Sequence, residues 1–321
     1  MARVAVLIAV YNGAAFIGDA IRSALAQTIE TDVIVVDDCS TDNTVAVAEA
    51  AGEGSPRLTI VRQPRNGGPG PARNRALALA EADWVTVLDA DDRMAPDRLE
   101  RLLEIAEAGH WDMVADDLMR VTDWNNLSDF RRQWREEPFG QVEVGFAEFI
   151  RENHRDICGE GRELGFLKPL MRREALARSG IRYSETMRLG EDYDLYARAL
   201  LSGQRMLVVD PVGYYAFDRP GSLSKSHSVT ALEQVYRADQ AMLAMPGTTR
   251  AGRKAVRAHR KLTHRKWAWA RLINAVGEKD LKEAAMCFVA PPHVIGVLVA
   301  GIYSHFFDPE HPRHGKAAST T

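Results

Sequence analysis

Asp89-Ala90-Asp91-Asp92 follows the apolar run Trp84–Leu88. Two carboxylates one residue apart at the end of a buried strand can both address a hard cation while the chain turns away. Mg2+ or Mn2+, shared with a substrate diphosphate, suits such oxygen ligands. The pattern alone fits an ordinary turn better, its aspartates bonding local backbone donors. Asp37-Asp38 ends another run, Val33–Val36, ahead of Cys39-Ser40-Thr41-Asp42, where Ser40, Thr41 or Asp42 could cap the next helix. Capping leaves the acidic pair unexplained, and a carboxylate there could accept hydrogen bonds from a nucleobase imide or a ribose hydroxyl. Asn66-Gly67-Gly68-Pro69-Gly70-Pro71-Ala72-Arg73 is a glycine-rich turn into a helix. Its amides and Arg73 suit phosphate, although the spacing is neither Walker A nor Gly-x-Gly-x-x-Gly.

These groups need a scaffold that brings strand ends together. Short β-branched runs at Val4–Val10, Val33–Val36, Leu58–Val61 and Trp84–Leu88 alternate with helical patterns at 14–28, 41–51 and 71–82. That rhythm predicts βαβ units and a parallel sheet covered by helices on both faces. Ligands in such sheets collect outside the carboxyl ends of the strands. Tyr11-Asn12, Asp37-Asp38 and Asp89-Ala90-Asp91-Asp92 therefore belong to one polar rim. Between about 116 and 190 the periodicity weakens and aromatic residues, Trp124 and Trp134 among them, appear between charges; either could stack on a sugar, with core or loop packing the commoner use. Helical patterning returns at 173–179 and 191–203, strands are expected at Met206–Val209 and Gly213–Phe217, and from about 229 the chain reads as helical.

At 321 residues, 46% hydrophobic and 26% charged, the composition is that of a globular protein with a sizeable core. Cys39, Cys158 and Cys287 match no metal or disulfide spacing and read as reduced thiols in a cytosolic setting. The N-terminal apolar run is too short for an export signal and suits a buried strand. Residues 225–321 carry 15 Lys+Arg against 7 Asp+Glu, so the remainder, 26 against 37, is acidic and argues against a nucleic-acid partner.

Taken together, Val6-Leu7-Ile8-Ala9-Val10-Tyr11-Asn12, Val35-Val36-Asp37-Asp38-Cys39-Ser40-Thr41-Asp42, Arg73-Asn74 and Leu88-Asp89-Ala90-Asp91-Asp92 resemble the nucleotide-binding half of family 2 glycosyltransferases. The resemblance continues through Met171-Arg172-Arg173, Gly190-Glu191-Asp192-Tyr193-Asp194-Leu195 and Arg219-Pro220-Gly221-Ser222-Leu223-Ser224, covering roughly residues 3–228. Gly165-Phe166-Leu167-Lys168-Pro169-Leu170 adds a likeness to bacterial exopolysaccharide glucosyltransferases of the succinoglycan type. The resemblance implies an α/β, GT-A (nucleotide-diphospho-sugar transferase) fold, with a Rossmann-like, mostly parallel sheet flanked by helices and a C-terminal helical extension. It implies residues 1–115 as the nucleotide-sugar-binding half and 116–228 as the acceptor-binding and catalytic-base half of one domain, with 229–321 as the extension. Tyr11 would then flank the uracil of a UDP-sugar, Asp38 bond the base, Arg73 lie near the nucleotide, Asp89 contact the ribose or sugar, and Asp91 hold the divalent metal. Many relatives carry a hydroxyl residue where Ala9 stands, so one uracil contact is absent there or supplied elsewhere. Asp192 would be the base that takes a proton from the attacking hydroxyl; Glu191 and Asp192 also suit the first turn of a helix by its macrodipole. Arg219, fixed before Pro-Gly-Ser, is the expected diphosphate contact, and His227 is read as a surface residue.

The C-terminal stretch 250–271 holds nine Lys+Arg, Trp267 and Trp269 and no acid. A basic helix with tryptophans suits an anionic membrane surface, and a solvated helix face is the alternative. Residues 284–307 lack Asp, Glu, Lys and Arg, but Pro291-Pro292-His293 interrupts them and leaves too few residues to span a bilayer. The expectation is an inverting, metal-dependent transfer of a hexose, glucose, from a UDP-sugar to a saccharide acceptor. That acceptor would be a lipid-linked oligosaccharide, met in the cytoplasm at the inner face of the plasma membrane. Two rivals stand beside it: a phosphatase with Asp89 as nucleophile, and a non-catalytic nucleotide-sugar-binding protein at the membrane periphery.

Overall fold

The structure is a computed structural model that describes residues 4–155, 161–218 and 228–307. The first third alternates as β1 (Val4–Val10), α1 (Ile17–Leu25), β2 (Thr31–Asp37), α2 (Thr44–Gly52), β3 (Leu58–Arg62), α3 (Pro69–Leu79) and β4 (Trp84–Val87). Short elements follow: β5 (Arg93–Met94), α4 (Arg98–Ala108), β6 (Met113–Asp116), β7 (Met119–Val121), β8 (Phe130–Arg132), β9 (Gln141–Glu143), α5 (Phe146–Arg151), β10 (Asn153–Arg155) and β11 (Gly161–Glu163). A 3-10 turn at Leu164–Phe166 leads to β12 (Leu170–Arg172), α6 (Arg173–Ser179), α7 (Glu191–Leu201), β13 (Met206–Val209) and β14 (Tyr214–Phe217). Four helices close the described chain: α8 (Val229–Ala244), α9 (Arg250–Gly277), α10 (Leu281–Met286) and α11 (Pro292–Phe307).

Eight strands form one sheet in the order β3-β2-β1-β4-β12-β6-β13-β9. The pairs β3-β2, β2-β1, β1-β4 and β6-β13 are parallel, while β12 runs antiparallel to both β4 and β6, and β9 antiparallel to β13. β1 lies inside the sheet with all but Ala9 buried, which is why its sequence is apolar without alternation. The chain leaves β1 for β2 on one side and returns to β4 on the other, so the carboxyl ends of β1 and β4 flank the switch point where a ligand crevice opens. Tyr11 and Asp89 follow those two ends. α1 buries Ile17, Ala20, Ile21 and Ala24 on one helical face, as the apolar spacing requires. A smaller sheet, β5-β14-β7-β8, packs beside the crevice.

Of the three cap candidates, Asp42 makes the contact. α2 begins at Thr44 behind Asn43, and no side chain of Asn43 caps it; the Asp42 carboxylate accepts the Thr44 N–H at 3.0 Å instead. Ser40 and Thr41 turn to the first strand end, where Ser40 Oγ accepts the Asn12 N–H at 2.8 Å and Thr41 N–H donates to Asn12 Oδ1 at 2.8 Å. Asn12 and Cys39 both take positive φ, 51° and 67°, in these interlocked turns. The strand ends are thus bolted to one another before any ligand arrives.

Arg98 and Asp116 lie at the centre of the fold, both wholly buried. Arg98 donates to Asp116 Oδ1 through Nε at 2.9 Å and Nη2 at 2.7 Å, and its Nη2 also donates to the Lys168 carbonyl at 2.7 Å. Asp116 Oδ2 accepts the N–H groups of Val212, Gly213 and Tyr214 at 3.1–3.3 Å. One ion pair therefore ties α4, β6, the approach to β12 and the start of β14. Asp116→Ala leaves the Arg98 guanidinium buried with its carboxylate gone, and destabilisation of about 3–5 kcal/mol is expected from the denaturant midpoint. A loss under about 1 kcal/mol would show that the pair does not brace the core.

Candidate active site

A cavity of about 360 Å3 opens at the β1/β4 switch point, and its walls run from Tyr11 and Asn12 past Asp89 and Asp91 to Lys168 and Asp192. Tyr11 is 51% exposed at its edge, so a flat ring is available to a ligand face. Gly13 keeps the turn tight, since a Cβ there would stand 2.4 Å from Val10 Cγ2.

Asp38 is placed differently from the rim acids. It is buried, does not line the cavity, and receives Gly67 N–H at 2.8 Å and Gln63 Nε2 at 3.1 Å on Oδ1, and Gly68 N–H at 2.7 Å on Oδ2. Its visible work is to hold the glycine-rich turn, where Gly68 adopts φ 95° ahead of α3. Asp37 is likewise internal, receiving Ser40 N–H at 3.1 Å and lying 3.4 Å from Arg62 Nε.

The turn delivers Arg73 on the first turns of α3. Gly70 lets that helix approach the 181–184 segment, because a Cβ would lie 2.2 Å from the Ser184 carbonyl oxygen. Asn74 then clamps Tyr183, accepting its N–H at 2.9 Å and donating to its carbonyl at 3.0 Å. Arg73, buried by these contacts, reaches three carboxylates: Asp89 Oδ1 at 2.8 Å, Glu191 Oε1 at 2.5 Å and Asp192 Oδ1 at 2.9 Å. Lys168 completes the cluster with Nζ at 3.0 Å from Asp89 Oδ2 and 2.6 Å from Asp192 Oδ2. Asp192 and Glu191 enter from the first turn of α7, which starts behind Gly190 at φ 78°.

The electrostatics of the five groups follow from this geometry. Burial by itself would push the Asp89 carboxyl up, yet Lys168 and Arg73 outweigh it and hold its pKa at about 2. Burial works against both cations as well, but the acids around them keep Arg73 and Lys168 firmly charged. Glu191 touches one cation only, and burial, helped by the Asp192 charge, pushes its carboxyl upward.

The Asp89-Ala90-Asp91-Asp92 segment divides its labour. Asp89 joins the ion cluster and Asp91 lines the cavity. Asp92 is an internal strut, receiving Tyr214 Oη at 2.9 Å on Oδ2 and Phe217 N–H at 2.9 Å on Oδ1. Burial and the neighbouring Asp89 and Asp91 charges push its pKa well above the usual carboxylate range. No group of three or more His, Cys, Asp and Glu side chains among the described residues is arranged to cage a metal.

Trp134 is 3% exposed, donates Nε1–H to Glu152 at 2.9 Å and packs edge-on against Phe139, so its role is packing. Trp124 stacks on Phe217 at 5.1 Å with the Arg93 guanidinium 4.0 Å over its ring. Arg219 and His227 lie outside the described residues. Two members of the cluster were not singled out by sequence reasoning as site residues. In the sequence Glu191 carries the signals of a first-turn acid and of the family likeness, and Lys168 that of the likeness alone. The signal for Lys168 was present, since a lysine between Leu167 and Pro169-Leu170 sits in an apolar run and must find a partner if buried.

Similarities to known proteins are consistent with this arrangement. Residues 5–162 match the family described as Glycosyl transferase family 2. The succinoglycan biosynthesis protein ExoU of Rhizobium meliloti (strain 1021) is 37% identical over 299 residues, covering 93% of this chain and 86% of that protein. ExoO of the same organism, also a succinoglycan biosynthesis protein, is 36% identical over 74% of this chain and 67% of its own length. Among solved structures, S. aureus TarS 1-349 in complex with UDP-GlcNAc superposes with a TM-score of 0.64 at 22% identity, covering 94% of this chain and 81% of that one. A mannosyltransferase, PcManGT from Pyrobaculum calidifontis, in complex with GDP-Man and Mn2+, gives 0.58 at 18% identity over 96% and 88%. The shared fold is GT-A.

The depressed Asp89 carboxyl makes a prediction about stability. A carboxylate whose folded pKa lies below its unfolded value contributes stability above the unfolded pKa and loses it as pH falls through the folded one. The gap in denaturant midpoint between the native chain and Asp89→Asn is therefore expected to be constant near neutrality and to narrow from about pH 4 towards pH 2. A gap that stayed constant down to pH 2 would show that Asp89 carries no such linkage.

Proposed function

The chain belongs to glycosyltransferase family 2, and from that premise we propose that it transfers a hexose, glucose, from a UDP-sugar to a lipid-linked saccharide with inversion at the anomeric carbon. One observation carries the reading: Asp192 and Asp89, from opposite walls, meet over Arg73 and Lys168 at a single cavity. Similarity to two succinoglycan biosynthesis proteins supports a role in building an exopolysaccharide. The donor class is supported by TarS, whose solved complex holds UDP-GlcNAc in the same fold.

The chemistry assigned to each residue follows from where it stands. Tyr11 offers its ring to the uracil. Asp38 serves the base side through the turn it holds, and the carboxylate of Asp89 addresses donor hydroxyls. Arg219, which lies outside the described residues, is assigned to the diphosphate by its place in the sequence alone. The acceptor hydroxyl attacks C1 opposite the diphosphate, the C1–O bond breaks with its electron pair passing to the diphosphate, and the hydroxyl proton goes to Asp192. A divalent ion brought in with the donor is assigned to Asp91, which lines the cavity wall, because Mg2+ is commonly held by one or two carboxylates plus substrate phosphates. When bound, such an ion neutralises the charge developing on the leaving diphosphate. Lys168 and Arg73 meanwhile hold Asp89 and Asp192 in place across the cavity.

The test uses UDP-glucose, Mg2+ or Mn2+ and an extract of lipid-linked oligosaccharide, with UDP release as readout. Asp192→Asn should lower turnover about 100- to 10,000-fold while UDP binding persists; unchanged turnover would remove the base assignment. Asp91→Ala should abolish the metal dependence of UDP binding, and if that dependence survives, the metal belongs to other residues.

The acceptor side of the proposal involves a membrane surface. No helix among the described residues is long and apolar enough to cross a bilayer. α9, about 42 Å long at 1.5 Å per residue, carries exposed Arg250, Arg253, Lys254, Arg257 and Lys261 with no acid between them. Beyond its end, α10 exposes Leu281 (82%), the connection from α10 to α11 exposes Val289 (77%), and α11 exposes Tyr303. Trp267 and Trp269 do not belong to that surface: Trp267 stacks with Tyr236, and Trp269 packs in a small cluster with Leu272, Val294 and Leu298. Exposed cations and exposed apolar side chains on one helical extension suit an anionic bilayer. The full chain should float with vesicles containing phosphatidylglycerol and not with pure phosphatidylcholine, and charge reversal at Arg253, Lys254 and Arg257 should abolish flotation. Equal recovery with both vesicle types would refute the electrostatic part of this reading.

A further inference from the structure

Glu191 and Asp192 are adjacent carboxylates on the first turn of α7, both buried and both held by the same Arg73 nitrogen. A helix start supplies no reason for one of them to be the base. The difference between them is Lys168, which lies 2.6 Å from Asp192 and has no recorded contact with Glu191.

Lys168 is held where it is by its backbone. Its carbonyl accepts Arg98 Nη2 at 2.7 Å. Before it, Leu164 and Leu167 are fully buried, and Gly165 packs so closely on α7 that a Cβ would lie 2.9 Å from Tyr193 Cβ and 2.9 Å from Asn153 Oδ1. Gly165 N–H donates to that same Asn153 oxygen at 2.6 Å. The segment is therefore fitted against the residue that follows Asp192, and the ammonium is delivered from a rigid base. It spans the gap between Asp192 on α7 and Asp89 after β4, on the second oxygen of each acid, and with Arg73 on the first oxygens it fixes their separation.

We propose that Lys168 is a positioning residue that selects Asp192 over Glu191 as the ionised carboxylate and fixes its orientation towards the donor-side Asp89. The proposal rests on the reading of Asp192 as base. Within the cluster the opposing influences are clear. Arg73 from α3 and Lys168 both pair with Asp192, while Glu191 stands beside it and Asp89 across the cavity. The phenol rings of Tyr183 and Tyr196 also face this cluster and stay neutral, burial pushing both hydroxyls well above their usual range. Removing Lys168 leaves three carboxylates around one guanidinium, and the excess negative charge then favours uptake of a proton by the cluster. Glu191, with one cation instead of two, already lies on the side that gains a proton more readily.

The experiment compares the native chain with Lys168→Met, Lys168→Arg and Asp192→Asn in UDP release from UDP-glucose with the lipid extract, and in calorimetric titration with UDP. Lys168→Met is expected to lower kcat at neutral pH at least tenfold while the UDP affinity stays within about threefold, and to move the acid limb of the kcat profile about one unit or more to higher pH. Lys168→Arg should recover part of kcat and bring the limb back towards that of the native chain. Lys168→Gln gives the same reading should the methionine variant be too unstable to assay. A uniform loss across pH with no movement of the limb, or native kcat in Lys168→Met, overturns the proposal. Native turnover in Asp192→Asn removes the base assignment itself, whereas an inactive Asp192→Asn beside an unaffected Lys168→Met removes only the assignment of Lys168.

Discussion

Five charges share one buried spot in this protein, and the rest of the structure is arranged around the cost of putting them there. Arg73, Lys168, Glu191 and Asp192 keep under about a tenth of their side-chain surface, and Asp89 opens to the cavity. Each ion moved out of water loses several kcal/mol of hydration, and only close opposite charges offset that. The groups come from α3, the loop after β4, the approach to β12 and the start of α7, so the network can exist only if those four segments meet. There is one more carboxylate than cations. That excess leaves the cluster with a net negative charge facing the cavity.

Bracing of the segments is layered below the cluster. The wholly buried Arg98–Asp116 pair fixes the Lys168 backbone from beneath and, through the three N–H groups on Asp116, the entry into β14. β14 in turn presents Tyr214 and Phe217 to Asp92, and the Tyr214 hydroxyl also accepts the Asp89 N–H at 3.1 Å. One conserved direction runs through these contacts: internal acids with saturated hydrogen bonds hold backbone, and the backbone aims acids that reach the cavity. Asp38 does the same for the glycine turn that starts α3.

What could be seen in the sequence and what could not divide along that same line. The alternation of apolar runs with helical patterns located β1 to β4, and Met206–Val209 was placed to the residue, because a buried parallel strand writes its own apolar run. The antiparallel β12 left no such mark: three residues long, it pairs on both sides and has no turn signature of its own. Asp89, Asp91, Arg73 and Asp192 were all visible as candidates, since strand ends and helix starts are where polar residues matter. Their partners were not. That Arg73 turns from the nucleotide side to grip Glu191, more than a hundred positions away, depends on Gly70 and Asn74 docking α3 on the 181–184 segment. Acid pairs at strand ends were equally ambiguous, because Asp37, Asp38 and Asp92 look like Asp89 in sequence and differ only in what the fold places around them.

The C-terminal helices are part of the same construction rather than an appendage. Tyr193, next in sequence to Asp192, donates its hydroxyl to Asp239 of α8 at 2.8 Å, and His259 of α9 holds the other oxygen of that buried carboxylate at 2.8 Å. Gly252 brings the start of α9 against Phe146 of α5, and His259, Leu262, Thr263 and Lys266 then line the cavity opposite the donor rim. The same helix continues, unbroken, to the exposed apolar residues at its far end. A helix transmits position along its axis with little give, so the far end of α9 and the part of the cavity wall it supplies move together. Through Tyr193, Asp239 and His259, the start of α7, where Asp192 stands, is tied to that same helix.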